Sequence, residues 1–237
     1  MPVTDESNVL EGLSFVTPNG GKGALCSHIS QHMVKSLSEL EKSHSWRFGP
    51  QRSEIFSRVA ELRTTINSIG QNNRIYINGG GIYHQGNIAI KGNNNKVFVN
   101  KDCSLSNLNI TIIGNDCIIE IGAGTTTNGT HMYCIGERHV IRVGKDCMFA
   151  CGTELWTSDS HSILSIESGE AINIRKHDVV IGDHVWLAEY SKVLKRVTVA
   201  DNCVIGMCAV LTKSTFPNSL YVGVPANMIK QGITWKR

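Results

Sequence analysis

The sequence contains no run of about 18 consecutive apolar residues, so it offers no candidate helical membrane span. It also lacks any long block of like charge: the formal net charge is +3, with basic and acidic residues interspersed. Composition therefore gives no reason to expect nucleic acid, and an anionic polymer is the charged partner left to consider. The opening residues MPVTDESNVLEG are acidic and polar where an export signal is basic and then apolar, which predicts a cytoplasmic chain. The glycine fingerprint of a dinucleotide-binding turn is missing from residues 1–70. CMFAC at 147–151 has no second cysteine pair at matching spacing, so no metal is expected there.

What is present starts with 237 residues at 41% hydrophobic content, enough for one substantial domain and a small appendage. Residues 1–27, rich in Gly, Ser, Thr and Asn, read as an irregular arm. Ile29, Met33, Leu37 and Leu40 recur at helical spacing, as do Ile55, Val59, Leu62, Ile66 and Ile69, with SHSWRFGP between them. This predicts a helical hairpin over 28–70. From about residue 71 the pattern changes to short alternating runs such as IYING, NIAIKG, NKVFVN and CIIEIG, which read as strands.

The decisive stretch is 179–211, where Ile181, Leu187, Val193, Val199, Ile205 and Leu211 fall on an unbroken period of six. Two residues before each stands a smaller side chain: Val179, Val185, Ser191, Val197, Cys203 or Ala209. Residues two apart in a strand share a face, so each pair points inward. Ile141/Val143, Cys147/Phe149 and Thr153/Leu155 repeat the pattern upstream. Three short faces and about 18 residues per coil make a triangular parallel β-solenoid, in which each coil buries itself against its neighbours. The eight cysteines then read as free thiols, with Cys103, Cys117, Cys147 and Cys203 filling the core.

The hexad run IGDHVWLAEYSKVLKRVTVADNCVIGMCAVLTK followed by GVPANMIK resembles the hexapeptide-repeat acyltransferases over roughly residues 75–235. GKDCMFACGTELWTSDSHSILSIESGEAIN, then VIGDHVWL and MIKQGITW, is similar to the capsular polysaccharide O-acetyltransferases of that family, especially those of sialic-acid capsules. The resemblance implies a left-handed parallel β-helix over 71–237, with a loop insertion at 162–178. It further implies a homotrimer with active sites between neighbouring copies, and acetyl transfer from acetyl-CoA to a sugar hydroxyl. The family's catalytic histidine falls on His161 and its signature tryptophan on Trp186. Its coenzyme contacts fall on Trp186, Ala188, Glu189, Met207, Thr212, Lys213, Ala226 and Lys230. LAEY and GMCA depart from the family's usual small residues at those two places.

A sugar hydroxyl attacks a thioester when a positioned base removes its proton, a role that suits imidazole. His161 lies six residues after Leu155, which predicts an inward register just before the loop leaves the coil. Asp159 is a candidate to fix the imidazole tautomer; a backbone carbonyl, or a merely solvated aspartate, is the alternative. The oxyanion is expected to meet a backbone N–H near Trp186, and Lys213 and Lys230 to meet coenzyme phosphates. No cysteine carries a paired base, so direct ternary-complex attack is expected. Loop 162–178 and a neighbouring copy are expected to select the acceptor. Competing readings are N-acetylation of an amino sugar, a non-catalytic polysaccharide-binding solenoid and, from relatives that hydrate carbon dioxide, a zinc site. His131, His139, His161, His177 and His184 lack the spacing of that last site. The chain is expected in the cytoplasm, with peripheral contact at a membrane-bound capsule assembly site as a variant.

Overall fold

The structure, a computed structural model, describes residues 45–48, 53–57, 63–79, 82–173 and 177–237. It is a left-handed parallel β-helix of about seven turns. Three faces repeat along the axis. The first carries Ser53–Ser57, Arg74–Ile77, Lys96–Val99, Ile118–Ile121, Val140–Val143, Val179–Ile181 and Thr198–Val199 in parallel register. The second carries Ser104–Ser106, Thr126–Asn128, Met148–Phe149, Trp186–Leu187, Val204–Ile205 and Ser219–Val222. The third carries Asn109–Ile113, His131–Ile135, Glu154–Trp156, Lys192–Val193 and Val210–Leu211. Ile82–Lys91 spans the second and third faces, and Asn227–Gln231 closes the second face antiparallel.

Every inward pair expected from the hexads is buried, from Val179 and Ile181 to Ala209 and Leu211, and Cys103, Cys117, Cys147 and Cys203 are fully enclosed. The coil length differs from expectation upstream. Equivalent positions recur every 22 residues in the N-terminal half and every 18 only after the loop. The longer coils have longer strands, such as the five-residue Asn109–Ile113 against the two-residue Lys192–Val193. One corner of the 22-residue coils is made by Gly70, Gly92, Gly114 and Gly136, with φ of 126°, 134°, 143° and 127°. A Cβ on Gly114 would stand 1.8 Å from the Gly136 carbonyl oxygen. The next wall position stacks Asn73 and Asn95: the Asn73 Oδ1 accepts from Asn95 N and Nδ2, and the Asn95 Oδ1 accepts from Cys117 N. These amides are buried and bonded on both sides, as burial requires.

No described residue is helical, and this corrects part of the expected hairpin. Ser53–Ser57 and Arg63–Ile69 are strands, and Ile55 pairs with Ile75 in the first face. Ile66 and Ile69 sit three apart, yet in a strand they point to opposite sides: Ile66 packs on the core and Ile69 is 63% exposed. The helical spacing therefore joined residues of different faces. The solenoid begins upstream of residue 71. The 1–27 arm and the stripe Ile29, Met33, Leu37 and Leu40 lie outside the described residues.

Candidate active site

The third face ends its long-coil section at Glu154–Trp156, and Thr157 is the last inward residue before the chain leaves the coil. Its buried hydroxyl accepts from Ile135 N (2.9 Å), which ties the exit point to the coil beneath. Beyond it an open cleft of about 460 Å³ is lined by Trp156, Ser158, Asp159, Ser160, Leu194, Lys195 and Thr212. Leu194, Lys195 and Thr212 come from the two coils that follow, so the cleft runs along the solenoid axis.

Trp156 supplies a rigid wall. Its ring stacks on Tyr133 one coil away (3.8 Å between centroids, 19° between planes), and its Nε1 donates to Glu154 Oε2 (2.7 Å). Glu154 also pairs with Lys192 in the register position above it. Burial pushes the Glu154 carboxyl up, but its bonds to Lys192 and Trp156 outweigh that and hold it below the ordinary carboxylate value. Asp159 has a similar balance: its bonds to Lys195 and then Asn173 hold its carboxyl down.

The sequence-predicted residues are only partly assembled. His161 follows directly on the cleft wall, but it is exposed, outside the inward register that the hexad count implied. The reason is that the coil ends at Thr157, so the six-residue count no longer applies at 161. Asp159 accepts through Oδ2 from Asn173 and Lys195, partners other than the His161 imidazole that it was a candidate to orient. Within the expected loop, residues 162–173 fold back on themselves, with Ile172 N donating to Ile163 O (2.8 Å) and a bridge between Leu164 and Ala171.

Trp186 lies on the second face, half-buried, between Met148 and Val204. Its ring meets Trp235 at 6.2 Å. Trp235 in turn stacks on His184 (4.2 Å, 8°) and donates from Nε1 to the His184 carbonyl (2.8 Å). Ala188 is buried at the end of the same coil segment. Glu189 and the exposed Met207 occupy successive coils at one corner, joined by Cys208 N to Glu189 O (2.9 Å). Ala226 donates its N–H to Val210 O (2.8 Å) on the third face. Thr212 lines the cleft, Lys213 is exposed beside it, and Lys230 pairs with Leu220 at the second face. Within one chain, then, the predicted coenzyme residues divide between the second face and the third. Among the described residues no group of three or more His, Cys, Asp or Glu is placed to hold a metal.

Site residues not anticipated include Trp156, Tyr133, Lys195 and Asn173. The first three had a signal, because the ladder stacks Tyr133, Trp156 and residues 194–195 in successive coils once the register is known. Asn173 had none, since only the closure of the loop brings it to Asp159.

Comparison with known proteins bears on what this surface does. The family model described as bacterial transferase hexapeptide (six repeats) matches residues 178–213. The structure of the polysialic acid O-acetyltransferase OatWY is 35% identical at a TM-score of 0.65, covering 78% of this chain and 90% of that one. The chain belongs to the hexapeptide-repeat acetyltransferases.

Two further members of the family extend the likeness. The crystal structure of the polySia specific acetyltransferase NeuO superposes at a TM-score of 0.70 with 26% identity, covering 78% of each chain. A polysialic acid O-acetyltransferase of Neisseria meningitidis is 41% identical over 132 residues, which is 56% of this chain and 60% of the relative. The chain thus spans less than two thirds of that relative's length. As a hexapeptide-repeat acetyltransferase, this chain has the hexad run of 178–213 forming the coils that face the loop and supply Leu194, Lys195 and Thr212 to the cleft.

Proposed function

We propose that the chain transfers acetyl from acetyl-CoA to a hydroxyl of a sialic-acid-containing bacterial surface polysaccharide. The observation that carries this reading is the 35% identity over 90% of a polysialic acid O-acetyltransferase structure. In the proposed mechanism His161 takes the proton from the attacking hydroxyl as the C–O bond to the thioester carbonyl forms. A backbone N–H near Trp186 stabilises the oxyanion. As the tetrahedral intermediate collapses, the C–S bond breaks, and the proton held on His161 passes to the departing coenzyme sulfur. No acyl-enzyme forms, so both substrates are bound together.

The cleft beside His161 is on the third face and Trp186 is on the second, which supports a site assembled from two copies. We therefore propose a homotrimer with sites between copies. Lys213 and Lys230, both exposed, are the proposed phosphate contacts. With acetyl-CoA as donor, the reaction belongs in the cytoplasm, where polysaccharide precursors are handled before export.

The bond made distinguishes O- from N-acetylation. Polysialic acid incubated with the protein and acetyl-CoA is expected to acquire acetyl that alkaline hydroxylamine removes, as it does from oxygen esters. Hydroxylamine-resistant acetyl would mean amide formation, and acetyl-CoA binding with no acceptor modified would overturn the proposed acceptor.

A further inference from the structure

The loop that leaves the solenoid after Thr157 is paired along its backbone between Ile163 and Ile172 and is tied at its base by one side chain. Asn173, half-buried at the loop's far end, makes three bonds to its near end. Its Nδ2 donates to Asp159 Oδ2 (2.7 Å) and to the carbonyl oxygen of His161 (2.8 Å), and its Oδ1 accepts from Ile163 N (2.8 Å). Behind it, the Asn173 carbonyl oxygen accepts from Nε2 of His177 (3.1 Å). His177 is buried, and its Nδ1 accepts from Arg196 Nε (2.9 Å). Because the Arg Nε can only donate, His177 is fixed as the tautomer with its proton on Nε2, and it holds the Asn173 backbone from the solenoid side. In front, Asp159 is held by Lys195 of the next coil.

From this clasp we infer that Asn173 is the positioning residue for His161. It fixes the chain two residues before the histidine, at the histidine's own carbonyl and two residues after it, so the imidazole is left only its side-chain torsions to search. A planar amide fits this position because it offers two donors on one nitrogen and an acceptor on the oxygen. Aspartate here keeps an acceptor for Ile163 but loses both donors and sets a second carboxylate against Asp159. The inference rests on the reading of His161 as the base. It also gives Asp159 a purpose as the counter-anchor of the clasp.

The test uses Asn173→Ala and Asn173→Asp, each in the native and in the His161→Ala background. Both variants are expected to lower kcat about 10–100-fold, with the KM for acetyl-CoA held within about twofold, as misplacement of a catalytic group requires. In the His161→Ala background neither is expected to lower the residual rate further. Additive losses there, a loss confined to KM, or an unchanged kcat would overturn the inference. Hydrogen exchange is read on the same full-length proteins without turnover: the amide of Ile163 is expected to exchange faster in Asn173→Ala, which removes its acceptor, while the hexad strands keep native rates. Equal exchange at Ile163 overturns the clasp even in an active enzyme. Faster exchange in a protein that transfers no acetyl overturns the functional reading alone.

Discussion

At position 114 a methyl group has no place. Gly114 holds φ of 143° under the carbonyl of the next coil's glycine, so an alanine there meets both backbone strain and a backbone contact that cannot rotate away. Gly114→Ala is expected to cost about 3 kcal/mol, lowering Tm by about 6–12 °C for a chain of this size; calorimetry checks it. The cysteines divide just as sharply. Burial pushes the Cys147 thiol up to about 12 and Cys103 to about 11. Both stay protonated and enclosed at pH 8, since a raised thiol pKa favours the neutral form. Cys151 and Cys208 are exposed. Brief treatment with a thiol reagent at pH 8, mapped by mass spectrometry, is expected to mark Cys151 and Cys208 and to leave Cys103 and Cys147 unmodified.

The strands and the loop respond to different forces. Leu187 is fully buried between coils and Leu164 is 59% exposed on the loop. Leu187→Ala is expected to cost about 2–5 kcal/mol, and Leu164→Ala no more than about 0.5; urea unfolding of both separates solenoid packing from loop surface. The loop's own tie is electrostatic. Lys195 and Asn173 hold the Asp159 carboxyl below its ordinary value, so the tie is fully present above the ordinary carboxylate range and is lost as pH falls through the lowered value. The same contrast governs what the sequence discloses. Six consecutive inward residues at a constant step make 178–213 legible, because each hexad is one face of one coil. The 22-residue coils escaped because their signature is four glycines far apart and not a short period. Ile55, Ile66 and Ile69 mimicked a helix because strand residues on opposite faces happened to fall at helical spacing. Thr212 was legible through resemblance as a residue of this region and does line the cleft, and His161 and Trp186 enter the proposed site by the same route, whereas Asn173 reaches Asp159 only once the loop has closed, a contact no local pattern encodes.

At the scale of the whole molecule, a solenoid exposes its faces separately, and this one puts the cleft and Trp186 on different faces. If the working site combines His161 of one copy with Trp186 of another, mixing and reassembling His161→Ala with Trp186→Ala chains is expected to restore about a quarter of the native rate, because each restored site takes one intact residue from each chain type. No restoration would place both residues in the same copy's site. The most direct measurement on the central claim is thiol release from acetyl-CoA on addition of polysialic acid, native protein against His161→Ala. The account predicts release that depends on acceptor and falls about 10²–10⁴-fold in the variant with folding intact. Equal release by both proteins would contradict it.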